Sequence, residues 1–74
     1  MSAYKIGDID DCGNILRRRR RPVELWETPK GNYVICLWVT GWDALRTRRK
    51  YRKDADVLFD SVCNMLPNLP PEES

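Results

Sequence analysis

Two short runs of apolar, β-branched and aromatic residues lie near the middle of the chain, at residues 23–28 and 33–40. Runs of this composition and length are typical of β-strands. The residues between them predict a tight hairpin, with Pro29 at the first central position of the turn and Gly31 at the left-handed position that follows. Residues 23–40 are therefore predicted to form a β-hairpin.

The turn sets the register of this hairpin and divides it into two faces. In that register Leu25 lies opposite Ile35, and Val23 lies opposite Leu37. The first face is apolar and carries Val23, Leu25, Tyr33, Ile35, Leu37 and Val39. The second face is mixed and carries Glu24, Trp26, Val34, Cys36 and Trp38. We expect the apolar face to pack against the rest of the domain.

The segment at residues 44–52 alternates Leu45, Thr47 and Tyr51 with basic side chains, which favours a third antiparallel strand. A basic helix is the alternative, because arginine and lysine are good helix formers. Residues 54–66 show apolar positions at helical spacing and predict a helix with Asp54 as its N-cap. The apolar stripe of that helix comprises Ala55, Leu58, Phe59, Val62 and Leu66.

These elements predict an α+β fold, in which a small three-stranded antiparallel meander packs on one C-terminal helix. Residues 22–66 form this single domain. Residues 67–74, rich in proline and glutamate, are expected to be a flexible tail or an extended strap. Residues 1–21 form an N-terminal arm, in which Tyr4 and Ile6 indicate a short strand or a segment packed over the two tryptophans of the mixed face.

The arm ends in five consecutive arginines followed by Pro22, which favours an extended segment or an edge strand. One interpretation is a solvated basic loop that prevents strand edges from associating. The other is a contact for a polyanion. The sequence favours the polyanion contact, because five adjacent positive charges exceed what solubility requires.

The net charge of +2 over 74 residues conceals a strong segregation of charge. Residues 1–15 carry −2, residues 16–53 carry +9 and residues 54–74 carry −5. A basic block flanked by acidic segments generates a local positive field that the whole-chain average hides.

Several classes of chemistry lack the residues that they need. The chain has no histidine, its three cysteines form no closely spaced pair, and its glycines form no phosphate-binding loop. We therefore expect no enzyme activity, no metal and no cofactor. The apolar runs are too short to span a membrane, and the free cysteines indicate an intracellular, cytoplasmic protein.

The remaining pattern predicts a nucleic-acid-binding module, with DNA favoured over RNA. Cations would neutralise phosphates while indole rings stack on bases or lie against sugars. The candidate site residues are Arg17, Arg18, Arg19, Arg20, Arg21, Trp26, Trp38, Arg46, Arg48, Arg49, Lys50, Arg52 and Lys53.

The order of strands and helix over residues 22–66 resembles the three-stranded DNA-binding domains at the N-termini of phage-type integrases. No residue roles follow from that resemblance, because it concerns only the order of elements.

The alternative function is a phage-type inhibitor or adaptor that binds an acidic protein surface. In its short length, its expected lack of a cofactor and its segregated charge, the chain resembles anti-CRISPR proteins. Under this hypothesis the binding hot spots are Trp26, Trp38 and Trp42. Homodimerisation through an open edge at the residue 23–28 strand fits either function.

Overall fold

A four-stranded antiparallel sheet and one C-terminal helix make up the computed structural model, which describes residues 3–74. The strands pair in chain order, so the sheet is a simple meander with β1 and β4 at its edges. The elements are β1 (Ile15–Arg20), β2 (Val23–Glu27), β3 (Tyr33–Trp38), β4 (Ala44–Arg49) and α1 (Arg52–Met65).

The central hairpin has the register that its turn predicts. Leu25 pairs with Ile35 and Val23 with Leu37, as expected from the sequence. Gly31 has a φ of 85°, which is the left-handed conformation that glycine adopts at no steric cost. The predicted division of β2 and β3 into an apolar and a mixed face is therefore confirmed.

The prediction of a three-stranded sheet is wrong, because the arginine-rich part of the N-terminal arm forms a further strand, β1, against β2. A β-bulge between Leu16 and Arg18 shifts the register of this pair. The bulge places Leu16 and Arg19 on one face and Arg18 on the other. The strand β2 is consequently interior and does not offer the open edge on which the homodimer expectation partly rested.

The third predicted strand is shorter than expected. It ends at Arg49 as β4, and the helix begins at Arg52 instead of Asp54. Tyr51 is the N-cap and makes no side-chain capping bond, so the assignment of Asp54 as N-cap is wrong. Asp54 lies in the first turn, where the helix dipole favours a negative charge.

Side chains are buried on both faces of the sheet. The helix covers the apolar face, called here the helix face, where Val23, Leu25 and Ile35 pack against Phe59. The opposite, outer face has a second cluster formed by Leu16, Trp26, Cys36 and Ala44, with Tyr4, Ile6, Val34 and Trp38 around it. Residues 3–14, called here the N-terminal segment, thus supply part of the cover of the outer face.

The C-terminal tail lies along β1. The backbone N–H of Glu73 donates to the carbonyl oxygen of Arg19 at 2.8 Å, and Leu69 packs against the core of the helix face. The guanidinium of Arg20 donates to the carbonyl oxygen of Pro70 at 2.8 Å. This edge of the sheet is therefore partly covered by the chain itself.

Candidate nucleic-acid interface

The five arginines of residues 17–21 are held by interactions within the molecule. Arg18 donates to Glu72 at 2.7 Å and to Asp60 at 2.9 Å, and its guanidinium carbon lies 4.3 Å from the ring centroid of Phe59. The hydrogen bonds that Arg18 donates to the carboxylates of Glu72 and Asp60 raise its pKa. Arg17 pairs with Glu27 at 2.9 Å. These charges are consequently neutralised in place.

Arg19 is the most deeply buried cation of β1, with 3% of its surface exposed. It lies between two carboxylates, donating to Glu73 and, at 3.4 Å, to Glu24. Glu73 also accepts from Arg21 at 3.0 Å. The hydrogen bond from Arg19 is the main reason that the pKa of Glu73 lies below its usual value, and Arg18 has the same effect on the pKa of Glu72. The acidic tail thus acts as the internal counterion of β1.

The carboxylate of Glu24 joins three of the candidate site residues beneath the outer face. Only 1% of Glu24 is exposed. One of its oxygens accepts from the indole N–H of Trp26 at 3.0 Å and from that of Trp38 at 2.8 Å, while the other faces Arg19. A buried carboxylate is costly unless it is paired and hydrogen-bonded, and these three donors meet that requirement. The cluster gives both indole rings a defined orientation.

The three tryptophans differ widely in accessibility. Trp26 is 8% exposed, because Tyr4 packs edge-on against it with the ring centroids 5.6 Å apart. Trp38 is half-buried and lies at the margin of the outer face, whereas Trp42 is 86% exposed in the turn between β3 and β4. The packing of Tyr4 therefore leaves only a small part of Trp26 exposed, and that part lines the groove described below.

A second group of cations occupies the opposite edge of the sheet from β1. Arg46 and Arg48 project from β4 on the outer face, because they pair with Cys36 and Val34 of β3. Arg49 lies on the helix face, opposite Tyr33. These residues and those at the junction with the helix form what we call the β4–α1 basic surface: Arg46, Arg48, Arg49, Lys50, Arg52 and Lys53.

Few of these cations are neutralised. Within residues 3–74, the sole ion pair of the β4–α1 basic surface joins Arg52 to Asp56 at 3.2 Å, one helical turn away. Residues 44–53 contain six cations and no acidic residue. The expected convergence of both basic stretches on one surface is therefore not found, since the paired cations lie at β1 and the unpaired ones at β4.

An open groove of about 570 Å³ runs across the outer face between the N-terminal segment and β4. Val34, Cys36 and Trp38 line its floor, and Arg46 and Arg48 line one side. Further lining comes from the N-terminal segment, through Tyr4, Asp10, Asp11, Cys12 and Asn14. Asp10 shapes that wall, because its side chain accepts hydrogen bonds from the backbone N–H groups of Cys12 and Asn14.

The thiol of Cys36 is buried in the floor of the groove. Burial raises its pKa to about 11, although nearby Arg46 has the opposite effect. Cys12 is exposed on the wall of the same groove. The two thiols therefore differ in accessibility, and Cys12 offers a chemical handle at this site.

Sequence reasoning did not identify the wall formed by residues 10–14, the buried role of Glu24 or the pairing of the tail with β1. The segregation of charge along the sequence was the available signal for the pairing of the tail with β1. A −5 terminal segment and a block of five arginines in a net +2 chain are natural partners for each other.

Residues 3–74 contain no group of three or more side chains placed to hold a metal ion, and no helix among them is long and apolar enough to cross a membrane. Comparison of the chain with protein-family models, curated proteins and solved structures found no match.

Proposed function

We propose that this protein is a small non-enzymatic nucleic-acid-binding module that contacts phosphates through the β4–α1 basic surface. The observation that carries the proposal is the contrast between the two basic stretches. Arg17, Arg18 and Arg19 of β1 are paired with the protein's own carboxylates, whereas six cations between Arg46 and Lys53 share one ion pair among the described residues. Cations left without internal partners are available to neutralise phosphates and release counterions.

The position of these cations supports the proposal. They lie along the edge strand β4 and at the start of the helix that follows it in the chain. Arg46 lies beside the ring of Trp38, with 5.9 Å between the guanidinium carbon and the ring centroid. An aromatic ring beside arginines is typical of surfaces that bind nucleic acids.

Fluorescence anisotropy with labelled DNA, measured over a series of salt concentrations, tests the proposal. If four to six cations contact phosphates, the association constant for duplex DNA falls roughly 10²- to 10³-fold between 50 and 200 mM salt. The double substitution Arg48→Gln/Lys50→Gln is expected to weaken binding and to flatten this salt dependence.

The matched control is Lys5→Gln/Arg17→Gln, which removes the same number of charges from exposed positions outside the β4–α1 basic surface. We expect this control to leave affinity nearly unchanged. Equal losses in the two double variants would contradict the proposed surface, and absence of binding by the unaltered protein at low salt would contradict the function.

A protein-binding role, such as that of a phage-type inhibitor, is the second candidate, and one observation favours it. Val39, Trp42 and Leu45 are 61%, 86% and 65% exposed around the turn between β3 and β4. Large exposed apolar side chains of this kind are typical hot spots of protein interfaces. A pull-down treated with nuclease separates the candidates. A partner that stays bound to the unaltered protein and is lost with Trp42→Ala would support this role.

A further inference from the structure

We propose that the groove on the outer face is a binding site for one unpaired nucleotide, so that the protein prefers single-stranded nucleic acid with accessible bases. This inference rests on the proposed function and names the form of nucleic acid that the same surface recognises. It depends on three properties of the groove, which are its lining, the charge of its two walls and its position beside the β4–α1 basic surface.

The lining of the groove suits a nucleobase. Val34, Trp38 and the ring of Tyr4 provide a largely apolar interior of about 570 Å³, within the range of small-ligand sites in proteins. The indole N–H of Trp38 is already committed to Glu24 at 2.8 Å, which keeps this ring in place. Stacking needs only the face of a base and therefore tolerates any sequence.

The two walls of the groove carry opposite charge, which determines how a nucleotide would lie. Arg46 and Arg48 form one wall, while Asp10 and Asp11 lie on the other. Phosphate is attracted to the arginine wall and repelled from the acidic wall. The base would consequently point toward the N-terminal segment, with its phosphate beside β4.

A paired base does not fit this arrangement. In a duplex the bases are stacked on one another and present only their edges. A base in the groove must instead be unstacked, so that its ring can lie between β4 and the N-terminal segment while its phosphate stays beside β4. The site is built from three parts of the chain, the N-terminal segment, β3 and β4, and β4 leads on into Lys50, Arg52 and Lys53 of the β4–α1 basic surface. Neighbouring phosphates of a single strand would follow those cations.

The test compares a single-stranded DNA oligonucleotide with an abasic strand of the same length and phosphate number, by anisotropy at low salt. We expect the strand with bases to bind roughly fivefold to 150-fold more tightly, the range that stacking of one base supplies. In a Trp42→Phe background, the strand with bases should also quench tryptophan fluorescence, whereas the abasic strand should not.

Selective modification of Cys12 locates the site, because Cys36 and Cys63 are buried. A neutral, bulky N-cyclohexylmaleimide adduct on Cys12 should abolish the preference for bases and leave affinity for the abasic strand within about twofold. The matched control is the small methylthio adduct on the same cysteine, which should preserve the preference. Circular dichroism confirms that both adducts retain the fold.

The outcomes separate the two proposals. Equal binding of both strands by the unmodified protein overturns the nucleotide site while the basic surface stands. A preference for bases that survives the bulky adduct also overturns it. Failure of both strands to bind at low salt overturns the proposed function and this inference together.

Discussion

Replacement of Glu24 by alanine is expected to destabilise the protein far more than replacement of any surface acid. Glu24 is 1% exposed, and its carboxylate accepts from two indoles and faces the buried guanidinium of Arg19. Removal of this acceptor leaves the buried indole N–H of Trp26 without a partner and leaves Arg19 with Glu73 alone. Breaking a buried pair in this way costs about 3–5 kcal/mol.

That cost is large for a chain of this length. At the usual ~0.05–0.15 kcal/mol per residue, 74 residues give a free energy of unfolding of roughly 4–11 kcal/mol. Glu24→Ala should therefore remove about half of it and lower the melting temperature on the order of 20 °C. Glu24→Gln should have an intermediate effect, because its amide oxygen still accepts from the indoles while the charge facing Arg19 is lost.

Urea denaturation followed by far-ultraviolet circular dichroism measures these changes without relying on the tryptophans that the substitution disturbs. The matched control is Glu27→Ala on the same strand. Glu27 is partly exposed and pairs with Arg17 at the surface, so its removal should cost no more than about 1 kcal/mol. If Glu24→Ala cost no more than Glu27→Ala, the carboxylate would not be holding the outer face together.

Three further predictions concern the tail, the thiols and β1. The arginines of β1 depress the pKa values of Glu72 and Glu73 below the usual 4.5, so this stabilisation is complete above pH 4.5 and is lost as the pH falls through the lower folded-state values. The urea midpoint of the unaltered protein should therefore exceed that of the Glu72→Gln/Glu73→Gln variant at pH 6, and a gap that persisted undiminished at pH 2 would contradict this. Mass spectrometry at pH 8 should find Cys12 alkylated long before Cys36, because burial raises the pKa of the Cys36 thiol to about 11. Equal rates of alkylation would show that the outer face is open. Leu16→Ala should cost about 2–5 kcal/mol because Leu16 is fully buried, and a cost under 0.5 kcal/mol in the same urea assay would mean that β1 is not a packed strand.

The central hairpin and the helix were predictable because their determinants are local. The turn at Pro29 and Gly31 sets the pairing of β2 with β3, and the spacing of apolar residues identifies α1. The candidate cations of β4 were also predictable, since they form a dense run without acids.

The arginine block was expected to be an extended segment or an edge strand, and β1 is an edge strand, but the directions of its side chains could not be read from its own residues. Five identical side chains show no alternation, so the pattern contains no information about which arginine faces the helix. The bulge after Leu16 decides this, placing Arg18 over Phe59 and Arg19 beside Glu24. The prediction of three strands failed because the block was assigned to an N-terminal arm instead of to the sheet.

Local sequence thus determined the hairpin, the helix and the segregation of charge, because turn chemistry and apolar periodicity act over a few residues. Tertiary structure alone decided which positive charges are available to a ligand. Glu72 and Glu73 lie more than fifty residues from the arginines that they neutralise, and only the path of the tail along β1 brings them together. Charge is a property of the sequence, but its pairing depends on distances of a few ångströms that the complete fold sets.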